Sequence, residues 1–161
     1  MWLPLLLFSS CFNQLTLKLA RMPRRGSKVQ LLDGFVVFEV EKTKLSRSYD
    51  NVRYSLDVVQ HQDNTLFVSG WAFYKKRRVP PVLIILIDNG LVVHVGRVSR
   101  KRKDVKDMFG LLHERYGFVY NVPNVVLEQQ LRLIAIFSDN TAEELIDYSS
   151  LEPAPNSYAP T

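Results

Sequence analysis

The densest chemistry in this 161-residue chain is cationic: Lys75, Lys76, Arg77 and Arg78 form one run, and Arg100, Lys101, Arg102 and Lys103 another. Such side chains neutralise phosphates and release counterions. They predict a salt-dependent contact with an anionic polymer, whether a teichoic-type chain, nucleic acid or lipid headgroups. A short basic run also keeps a sheet edge solvated and unpaired, and that simpler use stands beside the first. A third basic group, Lys18, Arg21, Arg24, Arg25 and Lys28, follows an apolar N-terminus. Glu128 to Glu152 holds six acids against one base, Arg132. The molecule is expected to have basic loops and an acidic end on a net charge of +5.

Catalytic chemistry is harder to find. His61, His94 and His113 fall in different elements, and His94 reads as a half-exposed strand residue. Asp104 with Asp107, or Glu143 with Glu144, could be offered as acid/base pairs. Glycoside hydrolysis needs two carboxylates facing across a gap, and adjacent surface acids are commoner. A single cysteine, Cys11, forms no internal disulfide, and the glycines are scattered rather than gathered in a phosphate loop. No catalytic residue, metal ligand or cofactor is assigned. No specific nucleic-acid motif occurs either.

The elements that must position these groups are extended. Phe35 to Val40 is an apolar run, and Val52 to Gln60 alternates. From Thr65 to Tyr74, Leu66, Val68, Gly70 and Ala72 share one face, and Phe67, Ser69, Trp71 and Phe73 the other. Gly70 predicts a bulge or a close backbone approach. Val82 to Ile87 reads as a central strand, and Asp88-Asn89-Gly90 as a tight hairpin returning through Leu91 to Val98. Asp104 to Tyr116 has the spacing of one or two helical turns broken by Gly110, with Asp104 as cap. Phe118 to Val122 and Leu131 to Ser138 are further strands, and Ala142 to Tyr148 reads as a weak last strand or a helical turn, for seven or eight strands in all. The fold class expected is all-β: an antiparallel, immunoglobulin-like β-sandwich with one short helical insertion. One basic loop precedes Val82 and the other follows Val98, so antiparallel pairing places both at the same end.

The organisation expected is a leader over residues 1–28, a sandwich over 34–150 and a disordered, proline-bearing tail over 151–161. No run of 18 apolar residues occurs, so no complete transmembrane helix is encoded. Trp2 to Phe12 can be read as a signal-like core, a lipidated Cys11 site, the stub of a membrane helix, an interfacial amphipathic helix or an apolar segment packed on the domain. Membrane proximity, on the cytoplasmic face, is the favoured expectation.

Val52 to Tyr148 resembles the small β-sandwich accessory domains of bacterial family-two glycosyltransferases and rhamnan-synthesis proteins. Tyr54-Ser55-Leu56-Asp57, Leu66-Phe67-Val68-Ser69-Gly70-Trp71-Ala72-Phe73, Ile85 to Gly90, Lys103-Asp104-Val105 and Tyr116-Gly117-Phe118 carry the likeness. It implies a non-catalytic domain that accompanies enzymes of cell-surface polysaccharide synthesis, with envelope glycan or a glycosyltransferase as partner. Trp71 is then expected to anchor the core between two sheets. The rival expectation makes it a sugar-stacking platform, in an exposed aromatic strip with Phe73, Tyr74 and Tyr120. Gly117 is expected to permit tight packing ahead of Phe118.

Overall fold

A computed structural model describes residues 22–128 and 131–147. The expected features of the leader up to Arg21, Cys11 included, and of the tail lie outside the described residues. Eleven strands run in the order Val29–Leu32 (β1), Phe35–Phe38 (β2), Thr43–Arg47 (β3), Val52–Gln62 (β4), Thr65–Tyr74 (β5), Leu83–Asp88 (β6), Leu91–Arg97 (β7), Arg100–Lys101 (β8), Arg115–Val122 (β9), Arg132–Ile136 (β10) and Thr141–Asp147 (β11). Among the described residues one helix, α1, spans Lys103–Phe109 between β8 and β9.

Two sheets make an all-β sandwich, one of seven strands (β1-β2-β3-β11-β10-β6-β7) and one of four (β4-β5-β9-β8). Pairing is antiparallel except between β3 and β11. The all-β sandwich expected from the sequence is therefore present.

β6 is buried at all six positions, and its two faces serve different cores. Ile84 and Leu86 face the four-stranded sheet together with Leu133 and Ala135 of β10. Leu83, Ile85 and Ile87 face inward on the seven-stranded sheet with Ile134, Ile136, Phe38 and Leu45. A wall buried on both sides needs uninterrupted apolar residues, which is why this run does not alternate. The seven-stranded sheet can hold an interior because it curls until its ends meet. Lys28 bridges Leu91, Gly26 N–H donates to Val92 O at 2.7 Å, and Val92 N–H donates to Ser27 O at 2.8 Å. Residues 22–28, read above as the end of a leader, therefore lie along β7 and cover its edge. Arg25 donates to the carbonyl of Asn124, and Met22 packs on the inner core.

The two hairpins follow from their turn residues. Asp63 and Asn64, joining β4 to β5, and Asn89 and Gly90, joining β6 to β7, all have positive φ, the requirement of a tight two-residue turn. Gly70 stands opposite the irregularity in β4 between Leu56 and Val58. A β-carbon at Gly70 would strike the carbonyl oxygen of Ser55, so the expected close approach is present and the bulge is on the partner strand.

Glu143 and Glu144 are not a surface acid pair. Glu143 is buried and accepts bonds from Ser48 Oγ (3.0 Å) and from the backbone N–H groups of Asn51 and Val52 (both 2.9 Å). It fixes the turn into β4. Glu144 lies between Arg47 and Arg132, at 2.9 and 2.6 Å.

Candidate binding face

The solvent side of the four-stranded sheet is divided into two halves by α1. Gly110 ends the helix in the left-handed conformation, with φ 62° and ψ 42°, and its N–H donates to Lys106 O. Leu111 N–H reaches the same carbonyl at 3.0 Å, which turns Leu111 inward. Val105, Phe109 and Leu111 thereby cover Trp71, Phe73 and Tyr116. The ring centroids of Trp71 and Phe73 are 5.9 Å apart, and Phe109 lies 5.3 Å from Trp71 and 5.2 Å from Phe73. The Arg53 guanidinium sits 4.5 Å over Phe109, and Tyr116 Oη donates to Arg78 O at 2.7 Å. Burial raises the Tyr116 phenol above its ordinary pKa.

Trp71 is thus a core residue at 9% exposure, but between sheet and helix rather than between the two sheets. The inter-sheet core is filled instead by Val52, Leu66, Val68, Ala72 and Phe118 with the β6 and β10 wall. Tyr120 belongs to that core. Its ring stacks on Phe118 and touches His94, its hydroxyl donates to Arg97 O at 2.8 Å, and burial drives its pKa strongly upward. Tyr74 is half-buried, with its edge toward Phe137 and Arg77 beside it. The four rings proposed as a strip therefore do not share an exposed surface: two lie under the helix, one lies between the sheets and one sits at a loop.

The other half of the same face is open. Register places Gln60, Phe67 and Asn121 side by side across β4, β5 and β9, and Gln62 beside Thr65. With Asp63 these six residues line a depression of about 360 Å³. Leu66, Val68, Tyr120 and Val122 alternate with them and point into the core, so the backbone beneath is anchored. His61 on the hairpin contacts Val125 O at 2.7 Å, and Val125 N–H donates to Asn64 O, which ties the rim down. None of the six side chains hydrogen-bonds another described residue. Three planar amides and a hydroxyl thus present free donors and acceptors around a half-buried phenyl ring. Alternation had placed Phe67 on the face of Trp71. Asn121 joins only through long-range pairing, which sequence spacing does not disclose.

The basic runs are partly spent on the fold. Lys75 pairs with Asp50, Arg77 with Asp139, and Arg102 with both Asp57 and Asp104. Arg78 donates to Phe109 O at 3.0 Å, so its loop abuts the end of α1. Arg100 to Lys103 leads into the start of α1, about 10 Å away at 1.5 Å rise per residue. The two runs are therefore neighbours linked by the helix. Lys76, Arg100, Lys101 and Lys103 have no partner among the described residues. Asp104 does not cap the helix, since Arg102 occupies the cap position. Its carboxylate is instead held near a pKa of about 2, first by its hydrogen bonds from Arg102. Asp139 is also lowered: burial opposes the shift, and bonds from Thr141 and Arg77 outweigh it. Gly117 lies beneath this edge, where a β-carbon would meet Arg102 Cγ at 2.7 Å and Arg100 O at 3.1 Å.

Among the described residues, no cluster of three or more His, Cys, Asp or Glu side chains could hold a metal ion, and no helix is long and apolar enough to cross a membrane. Comparison with family models, curated proteins and solved structures finds no match.

Proposed function

We propose that this chain is a non-catalytic binding module, accessory to bacterial cell-surface glycan synthesis, that holds a neutral saccharide on the open half of the four-stranded sheet. The observation that carries this reading is the set of partnerless amides around Phe67. A sugar ring has an apolar face of C–H bonds and a rim of hydroxyls. Phe67 offers a surface for the first. Gln60, Gln62 and Asn121 can donate and accept at once, which suits vicinal hydroxyls. A shallow site with a few polar groups fixed by a rigid sheet favours orientation over tight enclosure. Asp63 is the one charge on the lining, and no cation lies among the six residues, so a neutral sugar suits the site better than an acidic one. The motif resemblance in β5, β6 and β9 supports the glycan context.

Calorimetric titration of the full chain with neutral rhamnose- and hexose-containing oligosaccharides tests the proposal. Saturable heat is expected, with affinity lowered roughly tenfold by Phe67→Ala. Absence of heat with every oligosaccharide, or unchanged affinity in Phe67→Ala, overturns it.

A further inference from the structure

The end of the molecule built by α1 and the loop after it combines two properties that a purely solvated loop does not need. Leu112 is 92% exposed and Met108 is 71% exposed, the two most exposed large apolar side chains among the described residues. Their exposure is imposed by the backbone. Val105 and Leu111 are buried, Leu111 N–H is bonded to Lys106 O, and Arg78 holds Phe109 O, so Leu112 is directed outward on a fixed chain. Of the cations left without partners, Lys76 lies in the loop that abuts the end of α1, and Arg100, Lys101 and Lys103 lead into its start, about 10 Å away. Residues 100–115 hold six bases against three acids, and one of those acids, Asp104, is already paired with Arg102. Asp107 is the exposed acid that remains on the helix.

We infer that this tip docks on an anionic lipid bilayer, with Met108 and Leu112 entering the headgroup boundary and the free lysines and Arg100 lying against the phosphates. A polyanion in solution would recruit the cations and leave the apolar pair in water. A bilayer takes both, because apolar burial and attraction to anionic lipid act together at one surface. The geometry suits it: α1 lies at the Tyr74 end of β5 and the open depression at the Thr65 end, so docking leaves the depression facing water.

Vesicle flotation of the full chain tests the inference, using phosphatidylcholine alone and phosphatidylcholine mixed with phosphatidylglycerol. Binding is expected to be stronger on the anionic vesicles and to fall about tenfold in the double variant Met108→Ser/Leu112→Ser, and about tenfold in Lys101→Glu/Lys103→Glu. The residual binding of the charge variant should depend on salt less steeply than that of the wild type. All four side chains are exposed, so unchanged thermal midpoints should accompany these losses. Failure to float, or a serine variant that floats like the wild type, contradicts the inference. So does binding to single-stranded nucleic acid that depends on Lys101 and Lys103 when vesicles are not bound, because the surface would then serve a soluble polymer.

Discussion

The two halves of the outer face of β4, β5 and β9 carry similar raw material and have opposite fates. Toward Tyr74 the face offers Trp71 and Phe73, and α1 lies over them with Val105, Phe109 and Leu111. Toward Thr65 it offers Phe67 among amides, and nothing described lies over it. Strand alternation treats Phe67, Trp71 and Phe73 as equals. A seven-residue helix makes two of them core and leaves the third at the surface. An aromatic side chain on a sheet face is therefore not a site by virtue of its type. What decides is whether another element uses its area, and along this one strand it leaves one half packed as core and the other open to solvent.

Breaking the sealed half should have the largest effect. Trp71→Ala removes an indole packed on Phe73 and Phe109 and should destabilise the fold by about 3–5 kcal/mol. Urea unfolding measures this, and a loss near that of a surface substitution would mean the helix is not docked as described. Next comes the clamp at the entrance to β4. Glu143→Ala strands the hydroxyl of Ser48 and the N–H groups of Asn51 and Val52 and should cost about 3 kcal/mol by the same assay. The open half should respond differently. Phe67→Ala is expected to lower stability by only about 1 kcal/mol, since one face of the ring is already in water. Its main effect should be on saccharide affinity. A stability loss matching that of Trp71→Ala would erase the contrast between the halves.

The smallest expected effect concerns pH. His94 touches Tyr120, behind the open half, and its pKa is lowered, first by burial and then by the charge of Arg25. A histidine whose pKa is lower folded than unfolded binds fewer protons in the native state. Stability from this source is therefore full above the unfolded pKa, near 6.5, and declines as pH falls toward the folded value. Thermal midpoints should fall modestly between neutral and mildly acidic pH, and His94→Gln should flatten that slope. An unchanged slope in the variant would assign the dependence to other groups.

Much of this fold was legible because it is written in local chemistry. Asn89-Gly90 supplies the positive φ angles that turn β6 into β7, and the uninterrupted apolar run of β6 states that both its sides are buried. Strands with little to show were missed. Thr43–Arg47 has a single fully buried position, Leu45, and Val29–Leu32 follows directly on basic residues. Closure of the larger sheet rests on Lys28 meeting Leu91, a pairing that local alternation cannot register. The candidate face was half legible. The period of β5 placed Phe67 on the outer side, but the row Gln60-Phe67-Asn121 depends on two strand registers, and the sealing of Trp71 depends on a helix that packs from outside the sheet. Glu143 looked like one of two adjacent surface acids because its three donors lie more than 90 residues away.

The account is tested most directly by amide chemical-shift perturbation on the isotopically labelled full chain during titration with neutral oligosaccharides. It predicts shifts concentrated at Gln60, Gln62, Phe67 and Asn121, with the Trp71 indole signal unmoved. Shifts centred on Trp71 and Phe109, or none anywhere at saturating sugar, would contradict it.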